Sequence, residues 1–249
     1  MRRRFFVEGY SNGAALLEGA AAHHLANVLR AERGQLYELS DGQEIFLARV
    51  ERVGRDRVEF SLLEVVAARA PRLRLTLLLT LVKFDRFEWA LEKATELGVQ
   101  VVIPLCAERS EKKLIDAAAK RADRWNKILL ESAQQARCLR PPQLRPAQRP
   151  AEAFPAEDSS VRILLSERSQ APPLRQIFQA QSAEHTTDRE PLSVSLAVGP
   201  EGGWTDAEFA GAAQAKFLEA SLGELVLRTE TAVIAALAAT LLYFQPSAK

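Results

Sequence analysis

Leu192-Ser193-Val194-Ser195-Leu196-Ala197-Val198-Gly199-Pro200-Glu201-Gly202-Gly203-Trp204-Thr205 is the stretch that decides the architecture. Leu192, Val194, Leu196 and Val198 alternate with small residues, the period-two pattern of a strand. Gly199 to Trp204 then turn the chain, and Thr205 with Glu208 has the spacing of a capping box at the start of a helix. The turn therefore sits at the carboxyl end of a strand. Ligands of open α/β sheets collect there, because glycine lets them approach the backbone and helix N-termini offer free N–H groups. A glycine pair also serves simply to make a tight turn. Two further strand ends face the same region: Val161 to Leu165 running into Ser166-Glu167, and the segment from Leu222-Gly223 to Thr231, with Leu225-Val226-Leu227-Arg228-Thr229-Glu230-Thr231 before the last helix. The glycine spacing matches neither G-x-G-x-x-G nor the phosphate loop, so dinucleotide and nucleoside triphosphate sites lack their signature, which leaves a different adenosine-containing ligand open.

Upstream, Leu73 to Val82 is a nearly continuous apolar run, as in a strand buried on both faces, and it predicts a parallel sheet. Asp85 with Glu88 reads as a helix cap, Phe87, Ala90, Leu91, Ala94 and Leu97 recur at helical spacing, and Gly98 stops the helix before a strand over Val99 to Leu105. A long helix is expected over Asp116 to Cys138, with Trp125, Ile128, Leu129, Ser132 and Ala136 on one stripe. Pro141 to Pro155 reads as an irregular surface connection and Gln181 to Glu190 as a polar loop. The last helix, Ala232 to Phe244, is apolar nearly all round and needs burial on more than one side, against the sheet and a second subunit.

The N-terminal part differs in texture. Arg2-Arg3-Arg4 precedes a first strand at Phe5-Phe6-Val7, a short helix spans His23 to Ala31, and Leu36 to Leu39 and Ile45 to Val50 flank the hairpin signal Ser40-Asp41-Gly42. With a further strand over Val58 to Val65, this describes a small β-barrel-like domain over residues 1–70, joined through Ala67 to Pro71 to an α/β domain over 71–249.

Composition is that of a globular protein: 47% of the 249 residues are hydrophobic and 26% charged. No apolar run has membrane-spanning length with signal-peptide flanks, so a cytoplasmic protein without membrane partners is expected. Cys106 and Cys138 lack disulfide-framework and zinc-type spacing, and buried thiols and no metal are expected. The net charge of +1 hides an asymmetry: residues 71–150 carry sixteen Lys/Arg against nine Asp/Glu, whereas residues 151–249 carry seven against thirteen. A basic middle third suits a polyanion such as nucleic acid, or a solvated helix face.

Six motifs in order, spread over the chain, resemble one family. They are His24-Leu25-Ala26-Asn27-Val28-Leu29-Arg30, Lys83-Phe84-Asp85-Arg86-Phe87-Glu88, Lys93-Ala94-Thr95-Glu96-Leu97-Gly98-Val99, Arg124-Trp125 with Glu131 to Arg137, Gly199-Pro200-Glu201-Gly202-Gly203, and Leu227-Arg228-Thr229-Glu230-Thr231-Ala232. They resemble the RsmE family, methyltransferases that make N3-methyluridine in small-subunit (16S) ribosomal RNA, within the SPOUT superfamily. Trp204, where phenylalanine is commoner, and a lengthened loop over Gln181 to Glu190 depart from the pattern. The resemblance implies an N-terminal PUA-like RNA-binding β-barrel and a C-terminal α/β domain with a parallel sheet and a trefoil knot. It also implies a homodimer, S-adenosylmethionine as methyl donor, and the small-subunit RNA or the assembled small ribosomal subunit as partner. By matching position, the donor would be held by Ser166, Glu167, Gly199, Pro200, Glu201, Gly202, Gly203, Leu222, Gly223, Leu225, Leu227, Thr229, Thr231 and Ala232.

Methylation at N3 requires alignment of the nitrogen with the methyl group and departure of a proton. Candidate helpers are Glu201 and Glu230 as proton acceptors and Arg228 for charge developing on the uracil oxygens. Glu230 also fits a carboxylate stabilised at a helix N-terminus, and Arg228 an ion pair with Glu230 or Glu201. RNA contacts are expected from Arg2, Arg3, Arg4, Arg30, Lys83 and Arg86, with the basic helix Lys120 to Arg137 as a secondary surface. Trp89 and Trp125 read as core or interface residues. Two readings compete: a non-catalytic RNA-binding module that kept the fold, and a knotted methyltransferase acting on another RNA or base atom.

Overall fold

The computed structural model describes residues 3–67, 73–184 and 191–244. Arg2, most of the Ala67–Pro71 connection and residues 185–190 lie outside the described residues. The chain divides into two units, Met1–Ala70 with Glu131–Pro141, and Pro71–Leu130 with Pro142–Lys249.

In the first unit, β1 (Arg4–Phe6), β2 (Tyr10–Ser11), β3 (Ala14–Glu18), β4 (Leu36–Ser40), β5 (Ile45–Val53) and β6 (Arg57–Val66) form one sheet in the order β1-β4-β5-β6-β3-β2. Helix α1 (Gly19–His23) runs on into a wider turn, His24–Val28, closed by Leu29 N–H donating to the His24 carbonyl. The sheet is curled. Tyr10, on the strand at one edge, donates its hydroxyl to the Leu39 carbonyl at 2.9 Å and the Glu44 carbonyl at 3.2 Å, and its ring meets Phe46 edge-on at 4.7 Å. Phe5, Leu17, Leu25, Leu39, Val50 and Phe60 fill the inside. Burial pushes the Tyr10 phenol up to about 12. The neutral form is therefore favoured on folding, and this contribution is present below pH 10 and lost as pH rises from 10 towards 12. Tyr10→Phe should lower stability near neutrality by about 1 kcal/mol through its lost hydrogen bonds, yet lose less of the remainder than the native chain between pH 10 and 12. Urea unfolding at both pH values checks this.

The second unit is built on β7 (Leu73–Thr80). Helix α2 (Phe84–Glu96), strand β8 (Val101–Leu105), helix α3 (Lys112–Ala136), strand β9 (Gln143–Leu144), helix α4 (Pro150–Ala156) and strand β10 (Val161–Leu165) follow. Helix α5 (Leu174–Glu184), strand β11 (Leu192–Val198), helix α6 (Asp206–Gln214), strand β12 (Leu218–Ala220) and helix α7 (Thr229–Phe244) complete it. All pairings are parallel, in the order β12-β10-β11-β7-β8-β9. The apolar run of β7 lies between β11 and β8, and its two faces feed two cores. Leu73, Leu75, Leu77 and Leu79 join Phe87, Trp125, Leu129, Phe178 and Leu237 on one side. Leu78 joins Ile103, Leu164, Phe154, Trp204 and Phe217 on the other. Each fully buried leucine contributes about 1.5–3 kcal/mol, and the polar Arg74 and Thr76 fall in the half of the strand that is less completely buried, before the run Leu77-Leu78-Leu79.

Several local expectations are corrected. Asp85 is not a cap: α2 begins at Phe84 after Lys83, and Glu88 turns instead to Arg121 at 3.1 Å and Arg124 at 2.8 Å on α3. The secondary basic surface on that helix thereby loses two of its cations. The 141–155 segment is not irregular throughout, since Gln143–Leu144 adds an edge strand and Pro150 opens α4, where its missing N–H costs nothing. Gln181 to Glu184 is the end of α5 rather than loop. Among the described residues Cys106 and Cys138 form no disulfide, and both are half-buried. Trp125 is core, 2% exposed, whereas Trp89 is 43% exposed.

Candidate functional site

The carboxyl ends of β10, β11 and β12 lie side by side, and the segments leaving them enclose a cavity of about 350 Å³. Ser166, Glu167, Gly199, Pro200, Glu201, Gly203, Leu222, Gly223, Leu225, Leu227, Thr229 and Ala232 line it. Gly202 and Thr231 do not; Gly202 turns its face to Arg109, whose Cβ would stand 3.4 Å from an added Cβ.

Each wall has a local cause. Ser166 N–H donates to the Ala220 carbonyl at 2.9 Å, tying the first segment to the third. Trp204 tucks under the turn at 5% exposure and donates its indole N–H to the Leu165 carbonyl at 3.0 Å, a bond that phenylalanine could not make. The same indole leaves no room for a side chain at Gly199, where a Cβ would meet Nε1 at 3.0 Å. Gly203 has φ +70°, and a Cβ there would meet Glu167 Oε1 at 3.0 Å. Thr229 donates its hydroxyl to the Gly199 carbonyl at 3.2 Å, joining the turn to the start of α7. Thr205 and Glu208 form the expected capping box.

Two arginines that sequence reasoning passed over complete the walls. Arg109 donates to the Gly202 carbonyl at 2.7 Å and clamps the turn from outside. Arg168 donates to Asp206 at 2.6 Å and lies over the Phe209 ring. Neither stands in a motif, and both partners are remote in sequence.

The charged candidates separate. Glu201 lines the cavity and is paired with Arg86 of α2. Glu230 does not line it; it is 9% exposed in the first turn of α7, with Arg86 Nε 3.9 Å away, and its Oε2 is buried without a hydrogen-bond partner among the described residues. One guanidinium thus faces both carboxylates. Arg86 is consequently engaged in the site rather than presented as an RNA contact. Arg228 also does not line the cavity, but it is exposed between the lining residues Leu227 and Thr229, and it has no ion pair among the described residues. The ion pair read for it from the sequence belongs to Arg86.

Of the other expected RNA contacts, Arg4 is withdrawn. It is 7% exposed, bound to Glu38 at 2.8 Å, and donates to the Cys138 carbonyl at 3.1 Å, so its donors are spent inside the first unit. Arg3, Arg30 and Lys83 are exposed. Among the described residues no group of three His, Cys, Asp or Glu is placed to hold a metal, and no helix is long and apolar enough to cross a membrane.

The chain matches the RNA methyltransferase domain family over residues 69–241 and the RNA methyltransferase PUA domain family over 17–63. It is 31% identical to ribosomal RNA small subunit methyltransferase E of Bacillus subtilis over 228 residues, covering 90% of this chain and 88% of that protein. Ribosomal RNA small subunit methyltransferase E from Neisseria gonorrhoeae, solved bound to S-adenosyl methionine, superposes with a TM-score of 0.83 at 29% identity over 97% of this chain and 98% of that one. A methyltransferase from Legionella pneumophila in complex with the same cofactor gives the same TM-score, identity and coverage.

Proposed function

The chain belongs to the ribosomal RNA small subunit methyltransferase E family, and from that premise we propose that it transfers a methyl group from S-adenosylmethionine to N3 of a uridine in small-subunit ribosomal RNA. The observation that carries the reading is the cavity itself: three strand ends, glycine backbone and a tucked tryptophan at the place where the resemblance puts the donor. The residues fit that ligand. A Cβ at Gly203 would press on Glu167 of the cavity wall, and the lining combines backbone and apolar groups with charged side chains such as Glu167, Arg168 and Glu201, which suits a ligand that joins an adenosine moiety to a charged amino-acid part. When bound there, the donor supplies an electrophilic methyl group.

The remaining work falls to this chain. Glu201, on the cavity wall, is placed to accept the N3 proton, and Arg86 holds it against α2. Glu230, behind Arg86, balances that guanidinium from a helix N-terminus, where a carboxylate is favourable. Arg228 is free to face the charge that develops on the uracil oxygens. Arg228→Ala is expected to lower kcat on RNA about 100-fold and to leave donor affinity by calorimetry unchanged. An unchanged kcat removes it from the mechanism.

The knotted topology, the homodimer, the cytoplasmic setting and the domain boundary at residue 70/71 belong to the same proposal. The dimer is supported by large apolar side chains left outside: Leu225 at 82% exposure, Val226 at 75% and Leu242 at 85%. Analytical ultracentrifugation tests it, and a monomer at micromolar concentration rejects it. The function is tested by incubating the purified protein and donor with small subunits from a strain lacking the enzyme. Mass spectrometry should find N3-methyluridine. Methylation at another base atom or on another RNA rejects the assignment of the product, and absence of donor binding favours a non-catalytic RNA-binding protein.

A further inference from the structure

Five of the sixteen cations in residues 71–150 are paired within the second unit: Arg86 with Glu201, Arg121 and Arg124 with Glu88, Lys93 with Glu92 and Glu96, and Lys113 with Glu111. Lys112 and Arg149 have no ion pair among the described residues, and both line a second cavity of about 1040 Å³ together with Lys216, which is likewise unpaired. Arg162 adds a fourth cation. Its guanidinium is fixed in the wall by donating to the Ser159 carbonyl at 3.0 Å and the Ala215 carbonyl at 2.9 Å.

The two cavities share a wall. Segment 107–110 and helix α6 present Arg109, Asp206 and Phe209 to the first and Glu108, Ser110 and Glu208 to the second. The thickness between them is therefore about that of one helix, ~10 Å. Of the two carboxylates on the second side, Glu208 is already occupied as a cap, accepting from Glu108 N–H at 2.9 Å and Thr205 N–H at 2.8 Å. The floor is apolar, with the buried Ala107 and Phe154 and the half-buried Ile115. Ser110, on the same lining, has a hydroxyl oxygen buried without a hydrogen-bond partner among the described residues.

An apolar floor, unpaired cations and one orphaned hydroxyl are the chemistry of a nucleotide site: a planar base against the floor, its phosphate by the cations, a base-edge or ribose group for the hydroxyl. We infer that this cavity binds a nucleotide of the substrate RNA strand other than the one that is methylated. The inference rests on the reading of RNA as substrate. A strand occupies it rather than a free nucleotide because the cavity adjoins the transfer site across a single helix, so one strand spans both.

The test uses the full-length protein, small-subunit ribosomal RNA transcribed with 4-thiouridine, and filter binding over a salt series. Arg149→Glu with Lys216→Glu should weaken RNA binding at least about ten-fold and lower the log–log salt slope by roughly 2, since each lost phosphate contact removes about one unit. Ala151→Trp, at an exposed position on the lining, should weaken RNA binding several-fold with the slope unchanged. Both variants should keep native donor affinity and melting temperature, and crosslinks should map to 106–115, 149–155 or 207–216. RNA affinity within two-fold of native in both variants, crosslinks confined elsewhere, or uridine monophosphate binding as tightly as the RNA would each overturn the inference. If the native protein methylates RNA while the variants behave as native, only this inference falls. If the native protein binds no RNA, the substrate reading falls with it.

Discussion

Trp125→Ala is expected to destabilise the second unit by about 3–5 kcal/mol, the range for truncating a buried aromatic in a core that cannot collapse onto the gap. The ring is 2% exposed on α3, 4.6 Å from Phe87 and 6.0 Å from Phe84 between centroids, and so packs α3 against α2. Trp125→Phe should cost under about 1.5 kcal/mol, because it keeps much of that contact and removes an indole N–H that is buried without a partner among the described residues. Urea unfolding followed by circular dichroism separates the two. Equal losses from alanine and phenylalanine would show that the ring does not carry the packing.

Gly203→Val is expected to weaken S-adenosylmethionine binding at least about 100-fold, equivalent to ~2.8 kcal/mol. The backbone there has φ +70°, a conformation that costs a side-chain-bearing residue about 1–2 kcal/mol and a β-branched one more. The new Cβ also stands 3.0 Å from Glu167 Oε1, so either that cavity-lining carboxylate or the turn must shift. Gly211→Ala is the control: it lies within α6, its Cβ meets nothing within 4 Å, and it should leave donor affinity unchanged while stabilising the helix by up to about 1 kcal/mol. Calorimetry reads both. Native affinity in Gly203→Val would mean that the turn is not a wall of the donor site.

What the sequence made legible was whatever depends on near neighbours. The apolar run of β7 and the alternation of β11 follow directly from burial, and the Thr205–Glu208 box formed as its spacing states. Asp85 and Glu88 have the same spacing but failed to make a cap, because two arginines of α3 offer Glu88 a better partner than a backbone N–H. Pro150 was misread because prolines count equally as loop formers and as helix starters. In the candidate site, the strand-end segments were legible as a set, since each carries its own turn or cap. The arginines were not. Arg86 and Arg109 reach Glu201 and Gly202 across most of the unit's sequence, and Arg4 reaches Glu38, so whether a cation faces solvent or a carboxylate depends on contacts that no local pattern encodes.

The place of β7 between β8 and β11 has a consequence for how the chain comes into being. A ribosome that has finished β8 has already made a strand–helix–strand unit, but the other edge of β7, Leu73 to Thr80, stays unpaired until β11 emerges much later. Through all the intervening synthesis the chain carries an open, apolar edge of the kind that recruits other strands. The strand that finally covers it runs directly into Gly199, so protecting the sheet and placing the glycine turn are one event, and a nascent chain stopped before Leu192 has neither.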